Sequence, residues 1–404
     1  LRELGAITQL HGDFNRGFFY NVILPAETFV AHGDRLLRTT PVCELKLSAP
    51  GTAGRKLAEC PHLARIGNLF LEGDPPLSRA DLRALLESPH AANLHTLHLP
   101  NLSDEELTDL AATTATGLRS LSISGAQITG TTLPAVLSRL GRLEDLSLCC
   151  EAFDPKNIAA LNSPRLRKLS FGGTPVGATG MRALAKAREL TGLKVLCFDH
   201  AGLNAEALEA LATATHIRPE ELWLYDDRLT TRGGAALASW PGLASVRTLI
   251  SYESGLAGGG VAALARSPHL GALKKLTLDG NRVTDVGAEA LAQSDGLSEL
   301  VELDLGHNKI TDRGVRALAS ARFPRLRSLD VKNNLSGEEG GKALLAAEHF
   351  NELRSLQVGK VSDSLRGQLL NRFPELHEFG AEPYYFEHGP ELQAIRAELA
   401  ATSG

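Results

Sequence analysis

Cysteine is scarce in this sequence of 404 residues, and its arrangement excludes a fold built on disulfides. The five cysteines are Cys43, Cys60, Cys149, Cys150 and Cys197. They form an odd set without paired spacing and without a CxxC motif, whereas a disulfide framework needs an even set at regular spacing. The sequence therefore predicts reduced thiols, and with them a cytoplasmic location.

Long apolar runs and a charge of one sign are also missing. No stretch of about eighteen uncharged apolar residues occurs, so the sequence predicts no membrane span. The 42 basic and 47 acidic residues are spread along the chain and give a net charge of −5. Because nucleic-acid binding usually needs a concentrated basic face, we expect neither nucleic acid nor a membrane as a partner.

Motifs for catalysis or for a cofactor are absent as well. The glycine triplet Gly258-Gly259-Gly260 is not followed by the Gly-Lys-Ser/Thr of a phosphate loop. Cys149 and Cys150 are the strongest candidates for nucleophilic chemistry, but the repeat geometry places no histidine beside them as a base. The sequence therefore predicts no catalytic residue, no metal site and no cofactor, and we expect a protein that is not an enzyme.

Leucine at a fixed spacing, by contrast, is abundant. The pattern Leu-x-x-Leu-x-Leu recurs thirteen times at intervals of 23 to 28 residues. Its middle leucines are Leu45, Leu69, Leu97, Leu121, Leu146, Leu169, Leu196, Leu222, Leu249, Leu276, Leu303, Leu329 and Leu356. Each triplet alternates apolar and variable residues, which predicts a short strand with one buried face. A period in the mid-twenties predicts a leucine-rich-repeat solenoid.

The residues after each triplet predict a turn and then a helix. Asn281, Asn308 and Asn334 stand five residues after their middle leucines. An amide side chain there can bond backbone groups that the bend leaves unpaired, so we expect a ladder of buried asparagines. Thr284 and Thr311 each open a Thr-Asp-x-Gly-x-x-Ala-Leu-Ala segment, in which the threonine can cap a helix.

This Thr-Asp-x-Gly-x-x-Ala-Leu-Ala pattern resembles the ribonuclease-inhibitor class of leucine-rich repeats. The resemblance covers roughly residues 42–380. It implies an α/β fold, a horseshoe-shaped solenoid with a parallel β-sheet on the concave face and α-helices on the convex face. We expect one solenoid domain of about 13 repeats over these residues, since each repeat packs only on its neighbours.

The N-terminal residues 1–41 depart from the repeat. They predict a strand over 14–22 and a helix over 25–40, which we interpret as an N-terminal capping unit. The segment 14–22, followed by Pro41-Val42, resembles bacterial leucine-rich-repeat proteins that carry a small helical repeat-companion domain upstream. In this chain we expect that upstream domain to be absent, or only its tail to be left in Leu1–Leu10.

Residues 381–404 depart from the repeat too. They predict a C-terminal cap with a short helix over 390–400. Tyr384, Tyr385 and Phe386 precede that helix. We interpret these aromatic side chains as a cover for the last repeat, with a partner-binding tail as the alternative.

The register of the triplets also predicts which side chains face away from the core. The residues just before, between and just after the last two leucines point to the concave face. Trp223, Tyr225 and Tyr252 then fall together, with Asp199, Glu221 and Asp279 as a partly acidic rim. Aromatic anchors ringed by charge are typical of an interface hot spot. The candidate protein-binding residues are Asp199, Glu221, Trp223, Tyr225, Ile250, Tyr252, Lys275, Asp279, Asp304 and Asp330.

Two interpretations of the aromatic residues stay open at this point. They either anchor a partner, or they only shield a narrow concave surface and touch one another. The N-terminal half of the same face carries Ser120, Ser122 and Ser170, which are small and polar. We expect that half to bind less strongly.

The sequence favours a monomeric, non-enzymatic scaffold that binds a protein partner of unknown identity on the C-terminal half of the concave face. The alternative is a GTPase-activating protein of the Ran-activator type, which uses similar repeats. That activity would need an arginine or an asparagine at a repeat edge, and Arg228, Arg282 and Arg313 are the candidate arginines. It would also need an acidic tail, which residues 390–404 do not resemble. A ubiquitin-ligase effector would need a further catalytic domain with a cysteine.

Overall fold

Successive repeats build one long parallel sheet with helices on its other side. The structure, a computed structural model, describes residues 14–15, 18–19, 21–39, 42, 44–113, 117–161, 163–373 and 375–376. Fifteen strands of these residues follow one another in the sheet in chain order, and their neighbours pair in parallel. The expected C-terminal cap at 381–404 and the segment Leu1–Leu10 lie outside the described residues.

The strands are short because each contributes only the Leu-x-Leu part of a repeat. They are β1 (Phe14–Asn15), β2 (Phe18–Phe19), β3 (Asn21–Pro25), β4 (Glu44–Ser48), β5 (Asn68–Glu72), β6 (Thr96–Leu99), β7 (Ser120–Ser124), β8 (Asp145–Cys149), β9 (Lys168–Gly172), β10 (Val195–Asp199), β11 (Glu221–Tyr225), β12 (Thr248–Tyr252), β13 (Lys275–Thr277), β14 (Glu302–Asp304), β15 (Ser328–Asp330), β16 (Ser355–Gln357) and β17 (Glu375–Leu376). Strands β1 and β2 form a separate antiparallel pair.

The helices lie between the strands in sequence and cover the opposite side of the sheet. They are α1 (Ala26–Thr39), α2 (Pro50–Ala53), α3 (Arg55–Glu59), α4 (Arg79–Glu87), α5 (Asp104–Ala112), α6 (Leu133–Arg139), α7 (Gly177–Leu184), α8 (Ala205–Ala212), α9 (Thr230–Ser239), α10 (Ala257–Ala265), α11 (Asp285–Ala292), α12 (Asp312–Ala319), α13 (Glu338–Ala346) and α14 (Asp363–Arg372). None of these described helices is long and apolar enough to cross a membrane.

The thirteen middle leucines of the triplets are register partners across the sheet. Leu222 pairs with Leu196 on one side and with Leu249 on the other, and the same alignment holds at the other triplets. Each of the thirteen is at most 1% exposed. The predicted fold is therefore confirmed, with the core between the sheet and the helices.

The N-terminal end differs from the sequence expectation in one respect. In place of one strand over 14–22, the structure has the antiparallel pair of β1 and β2 and then the strand β3. Strand β3 pairs with β4, and Val22 is the register partner of Leu45. The sheet thus begins one strand before the first leucine triplet, because Val22 and Leu24 supply the buried face that a triplet would supply.

A ladder of polar side chains joins the turns that follow the strands. The Nδ2 atom of Asn308 donates to the carbonyl oxygen of Leu278 at 2.9 Å, and its Oδ1 accepts from the N–H of Val283 at 2.8 Å. Asn281 makes the equivalent bonds one repeat earlier, and Asn334 makes them one repeat later. Asn281 and Asn308 are buried, whereas Asn334, the last amide of the ladder, is only half-buried.

Other residue types hold the same ladder position in earlier repeats. Thr174 and Ser254 donate their hydroxyl groups to a main-chain carbonyl of the preceding repeat at 3.0 and 2.6 Å. Asp227 accepts from the N–H of Leu203 at 2.7 Å, while its buried Oδ2 has no hydrogen-bond partner in the protein. Burial raises the pKa of Asp227 to about 7. The protonated carboxyl can donate as the amides do.

The acidic residue of the Thr-Asp pattern caps the helix of the following repeat. Asp285 opens α11, but its Oδ1 accepts from the N–H groups of Thr311 at 2.8 Å and Gly314 at 3.1 Å, where α12 begins. Asp312 caps α13 in the same way. The expected threonine caps are weaker, since Thr311 makes one long bond of 3.3 Å and Thr284 makes none.

Candidate functional site

Side chains on the open face of the sheet fall into three rows because the strands pair in register. The first row holds the residue before each middle leucine, the central row the residue after it, and the third row the residue after the last leucine. Strand β11 contributes Glu221, Trp223 and Tyr225 to these rows. The rows thus decide which side chains of different repeats can touch.

Three aromatic side chains, the aromatic patch (Trp223, Tyr225 and Tyr252), meet on this face. The rings of Trp223 and Tyr225 lie edge to face with centroids 6.3 Å apart, and those of Tyr225 and Tyr252 are also 6.3 Å apart. All three residues are half-buried. By contrast, Trp240 is 0% exposed in the core, where its Nε1 donates to a main-chain carbonyl at 3.2 Å. The two tryptophans of the chain thus have opposite environments.

The Trp223 indole is fixed on both its edge and its face. Its Nε1 donates to Oε2 of Glu221 at 3.1 Å. The ammonium group of Lys168, two strands away, lies 5.7 Å from the centroid of the Trp223 ring, a cation–π distance. Cys197 stands between them in the central row, and its small side chain leaves room for this reach. Ile250, half-buried, continues the central row on the other side of Trp223.

Four acidic side chains, the carboxylate cluster (Asp279, Glu302, Asp304 and Asp330), lie beside the aromatic patch. Asp304 and Asp330 are register partners in the central row. In the third row stands Gly306, where an added Cβ would lie 2.6 Å from Oδ2 of Asp279 and 3.3 Å from Oδ1 of Asp304. The glycine therefore leaves the space that these two carboxylates occupy.

Basic groups partly neutralise the carboxylate cluster. The ion pairs join Lys275 to Glu302 (2.9 Å), Lys332 to Asp330 (3.2 Å) and His307 to Asp279 (2.8 Å). Asp279, Glu302 and Asp330 are at most 6% exposed. Asp279 is thus a buried residue and not part of an exposed acidic rim, because residues of the following repeat pack against it. The sequence of a single repeat does not show that packing.

Burial and mutual repulsion raise the pKa of two members of the cluster. The pKa of Asp304 lies well above its usual range because of burial, and the negative charges of Asp330 and Asp279 raise it further. Burial also raises the pKa of Asp330, although the ammonium group of Lys332 opposes the shift. Carboxyl groups on adjacent strands thus hold their protons more tightly than free ones.

Asp199 belongs to a different arrangement at the end of β10. His200 Nδ1 lies 2.7 Å from Oδ1 of Asp199, and its Nε2 lies 3.9 Å from Oδ2 of Asp226. The hydrogen bond to Asp199 raises the pKa of His200. The donor atoms of the three side chains lie within 4.8 Å of one another, a spacing that a metal ion would require. Ion pairing accounts for the contacts, and three solvent-exposed side chains alone do not define a metal site.

Sequence reasoning missed a second aromatic pair, on the N-terminal half of the face. The rings of Phe70 and His98 stack with centroids 6.0 Å apart, and the ammonium group of Lys46 lies 5.6 Å from the Phe70 ring. His98 Nδ1 is 2.9 Å from the hydroxyl of Ser122. The signal was present, since Phe70 and His98 occupy the same triplet position as Trp223. In the central row, this half of the face therefore carries small polar side chains only from β7 to β9, at Ser122, Ser147 and Ser170.

The other residues considered for chemistry are arginines and cysteines. Arg313 lies on α12 and pairs with two carboxylates of α11 at 2.9 and 3.4 Å. Arg228 and Arg282 are exposed in turns. Burial raises the pKa of Cys150 to about 12, so its thiol stays protonated at neutral pH, while Cys149 is exposed.

Comparison with known proteins adds to this description of the fold. Residues 271–335 match the family model described as a leucine rich repeat. No curated protein sequence gives a significant match. A solved internalin of Listeria monocytogenes is 18% identical, with 80% of this chain and 83% of that chain covered and a TM-score of 0.50. A chain of the yeast Rad7 and Elc1 complex is 15% identical, with coverages of 86% and 78% and a TM-score of 0.47.

Identities this low indicate a shared fold and nothing about shared partners. The match to the repeat model covers the repeats in which the asparagine ladder is most regular. The ordered parallel sheet, the leucine register and the likeness to the internalin agree with one another. The fold of this chain is therefore that of a leucine-rich-repeat solenoid.

Proposed function

We propose that the chain is a protein-interaction scaffold without catalytic activity that docks a protein partner on strands β10 to β15. The observation that carries the proposal is the aromatic patch, in which Trp223, Tyr225 and Tyr252 contact one another on the open face instead of packing in the core. Half-exposed aromatic side chains supply a large contact area at a low entropic cost and are typical anchors of interfaces.

A shielding role explains the patch less well. In the rows where Ser122 and Ser170 stand beside the strand leucines, Leu121 is 1% and Leu169 is 0% exposed. Leu222, which lies beside Trp223, is also 0% exposed. Small polar side chains therefore leave the strand leucines as well buried as the large rings do. The rings are not needed for burial, which favours a role in binding.

The patch is also preorganised for binding. The indole of Trp223 is held by the carboxylate of Glu221 and by the ammonium group of Lys168. The underlying strands are paired on both sides, so the backbone beneath the patch has little freedom. Because few rotamers need to be frozen on association, more of the contact energy remains as affinity.

Capture from a lysate of the source cells, followed by binding with the purified partner, tests this proposal. The immobilised chain is compared with Trp223→Ala and with Phe70→Ala, which removes an aromatic side chain from the same row at the other end of the sheet. Proteins retained by the parent chain and by Phe70→Ala, but lost with Trp223→Ala, are the expected result. A partner that is retained equally by all three proteins would place the docking surface elsewhere.

A further inference from the structure

Negative charge is concentrated in the strands that form the proposed docking surface, although Asp279, Glu302 and Asp330 are themselves buried. In the three rows, strands β10 to β15 and the residues directly after them carry six carboxylates and two ammonium groups. These charged residues are Asp199, Glu221, Asp279, Glu302, Asp304, Asp330, Lys275 and Lys332. Over the whole chain the two signs are nearly balanced, with 42 basic and 47 acidic residues. The surplus of acidic groups therefore lies largely on this face.

Three oxygen atoms of the carboxylate cluster lack a hydrogen-bond donor from the protein. They are Oδ1 of Asp279, Oε1 of Glu302 and Oδ2 of Asp330, and all three atoms are buried, although the last lies 3.2 Å from the ammonium group of Lys332. Asp279 is 6% exposed and Glu302 is 5% exposed, although each uses its other oxygen in an ion pair. A buried carboxylate oxygen without a donor is costly. The cluster is thus short of donors, and a ligand that supplies N–H groups would satisfy it.

The geometry of the cluster favours a planar donor with several N–H groups. Asp304 and Asp330 are register partners, and neighbouring strands lie about 4.8 Å apart. Asp304 is the half-buried member that solvent can reach, and the carboxylates of Asp304 and Asp279 occupy the space that a side chain at Gly306 would fill. The imidazole of His307 lies between Asp279 and Asn333, since its Nδ1 is 2.8 Å from Oδ2 of Asp279 and its Nε2 is 2.7 Å from Nδ2 of Asn333.

We propose that the partner segment docked on this face is basic and places an arginine side chain in the carboxylate cluster, beside Tyr252 of the aromatic patch. This inference rests on the proposed function. A guanidinium group has five donors in a rigid fork that can bridge two carboxylates, and it stacks on aromatic faces. Lysine offers a compact point charge instead and does not form this planar bridge. A nucleic acid would be repelled by the same carboxylates.

The groups that face Asp304 explain why a cation is preferred there. The carboxyl groups of Asp330 and Asp279 raise the pKa of Asp304, and the ammonium group of Lys332 lowers it. In the complex an arginine would offset the repulsion among these carboxylates.

Fluorescence anisotropy with a labelled hexa-arginine peptide as the probe tests the assignment. The titration is made at about 0.1 M salt, where surface charges are screened beyond about 10 Å. The full chain is compared with Asp304→Asn/Asp330→Asn and with Asp295→Asn/Glu348→Gln, a control that removes the same charge at exposed sites away from the strands. Hexa-lysine is the second probe. Thermal unfolding verifies that each variant is folded, and Asp304→Asn alone is used if the double variant is not.

We expect hexa-arginine to bind the parent chain and the control within about twofold of each other, and the cluster variant at least about tenfold more weakly. Equal weakening in the control, binding of hexa-lysine as tight as that of hexa-arginine, or no binding of hexa-arginine would overturn the assignment. The captured partner separates the two proposals. If Trp223→Ala fails to bind it but Asp304→Asn/Asp330→Asn still binds it, the proposed arginine contact is overturned and the scaffold proposal is not. A partner kept by both variants would overturn both.

Discussion

The Nδ2 atom of Asn308 donates a 2.9 Å hydrogen bond to the main-chain carbonyl of Leu278, thirty residues earlier in the chain. This bond ties the turn of one repeat to the strand of the repeat before it. In a solenoid each repeat is stabilised mainly by its neighbours. The ladder amides are therefore links between repeats in addition to turn-formers within one repeat.

Replacing Asn308 by alanine should lower the free energy of unfolding by about 1–3 kcal/mol, because the carbonyl of Leu278 and the N–H of Val283 both lose their buried partner. Urea denaturation measures this difference. Asn351→Ala, at an exposed position, serves as the control and should be nearly neutral. Equal midpoints for the two variants would contradict the ladder.

Asp227 makes stability depend on pH. Burial raises its pKa to about 7 in the folded chain, whereas the unfolded carboxyl titrates near 3.8. The folded state therefore holds the proton more tightly. The contribution of the protonated group is fully present below about pH 4, falls between about pH 4 and 7, and is lost above that range. His200, Asp199 and Asp226 are the charged groups that act on it.

Asp227→Asn should remove this dependence and stabilise the chain at pH 8 by about 1–3 kcal/mol. An asparagine there can donate to the carbonyl of Phe198, the register equivalent of the carbonyl that Asn281 binds. Urea denaturation at pH 5 and pH 8 measures the effect. If the parent chain and the variant lose the same stability between the two pH values, Asp227 is not the titrating group.

The asparagine ladder and the leucine register show what a sequence of repeats can predict. Leu222 and Asn308 stand at fixed offsets, and a fixed offset becomes a fixed place once the strands pair in register. The burial of Asp279 was not predictable in this way. It depends on His307 of the following repeat and on Gly306. The repeat pattern does not specify which residues stand at these variable positions of the next repeat.

The two tryptophans should respond differently to substitution. Trp240→Ala empties a fully buried site and should cost about 3–5 kcal/mol of stability. Trp223→Ala removes a half-exposed ring and should cost no more than about 1 kcal/mol. Thermal or urea unfolding of both variants makes the comparison. A large loss with Trp223→Ala would mean that this ring packs in the core.

Asp304→Asn should stabilise the chain at neutral pH, since it removes a repelled carboxyl whose pKa is raised. The Oδ1 atom can still accept from the N–H of Gly306. The gain should shrink as pH falls and the carboxyl becomes protonated. Unfolding at several pH values measures it, and a variant that is less stable than the parent at pH 8 would contradict the repulsion.

The central claim is that the aromatic patch is the docking surface, and the Kd of the purified partner tests it most directly. Titrations compare the parent chain, Trp223→Ala and the matched control Phe70→Ala. We expect Trp223→Ala to weaken binding by about 2 kcal/mol or more, roughly thirtyfold in Kd, with little change in stability. Phe70→Ala should bind within about threefold of the parent. Equal Kd values for the parent and Trp223→Ala would contradict the account.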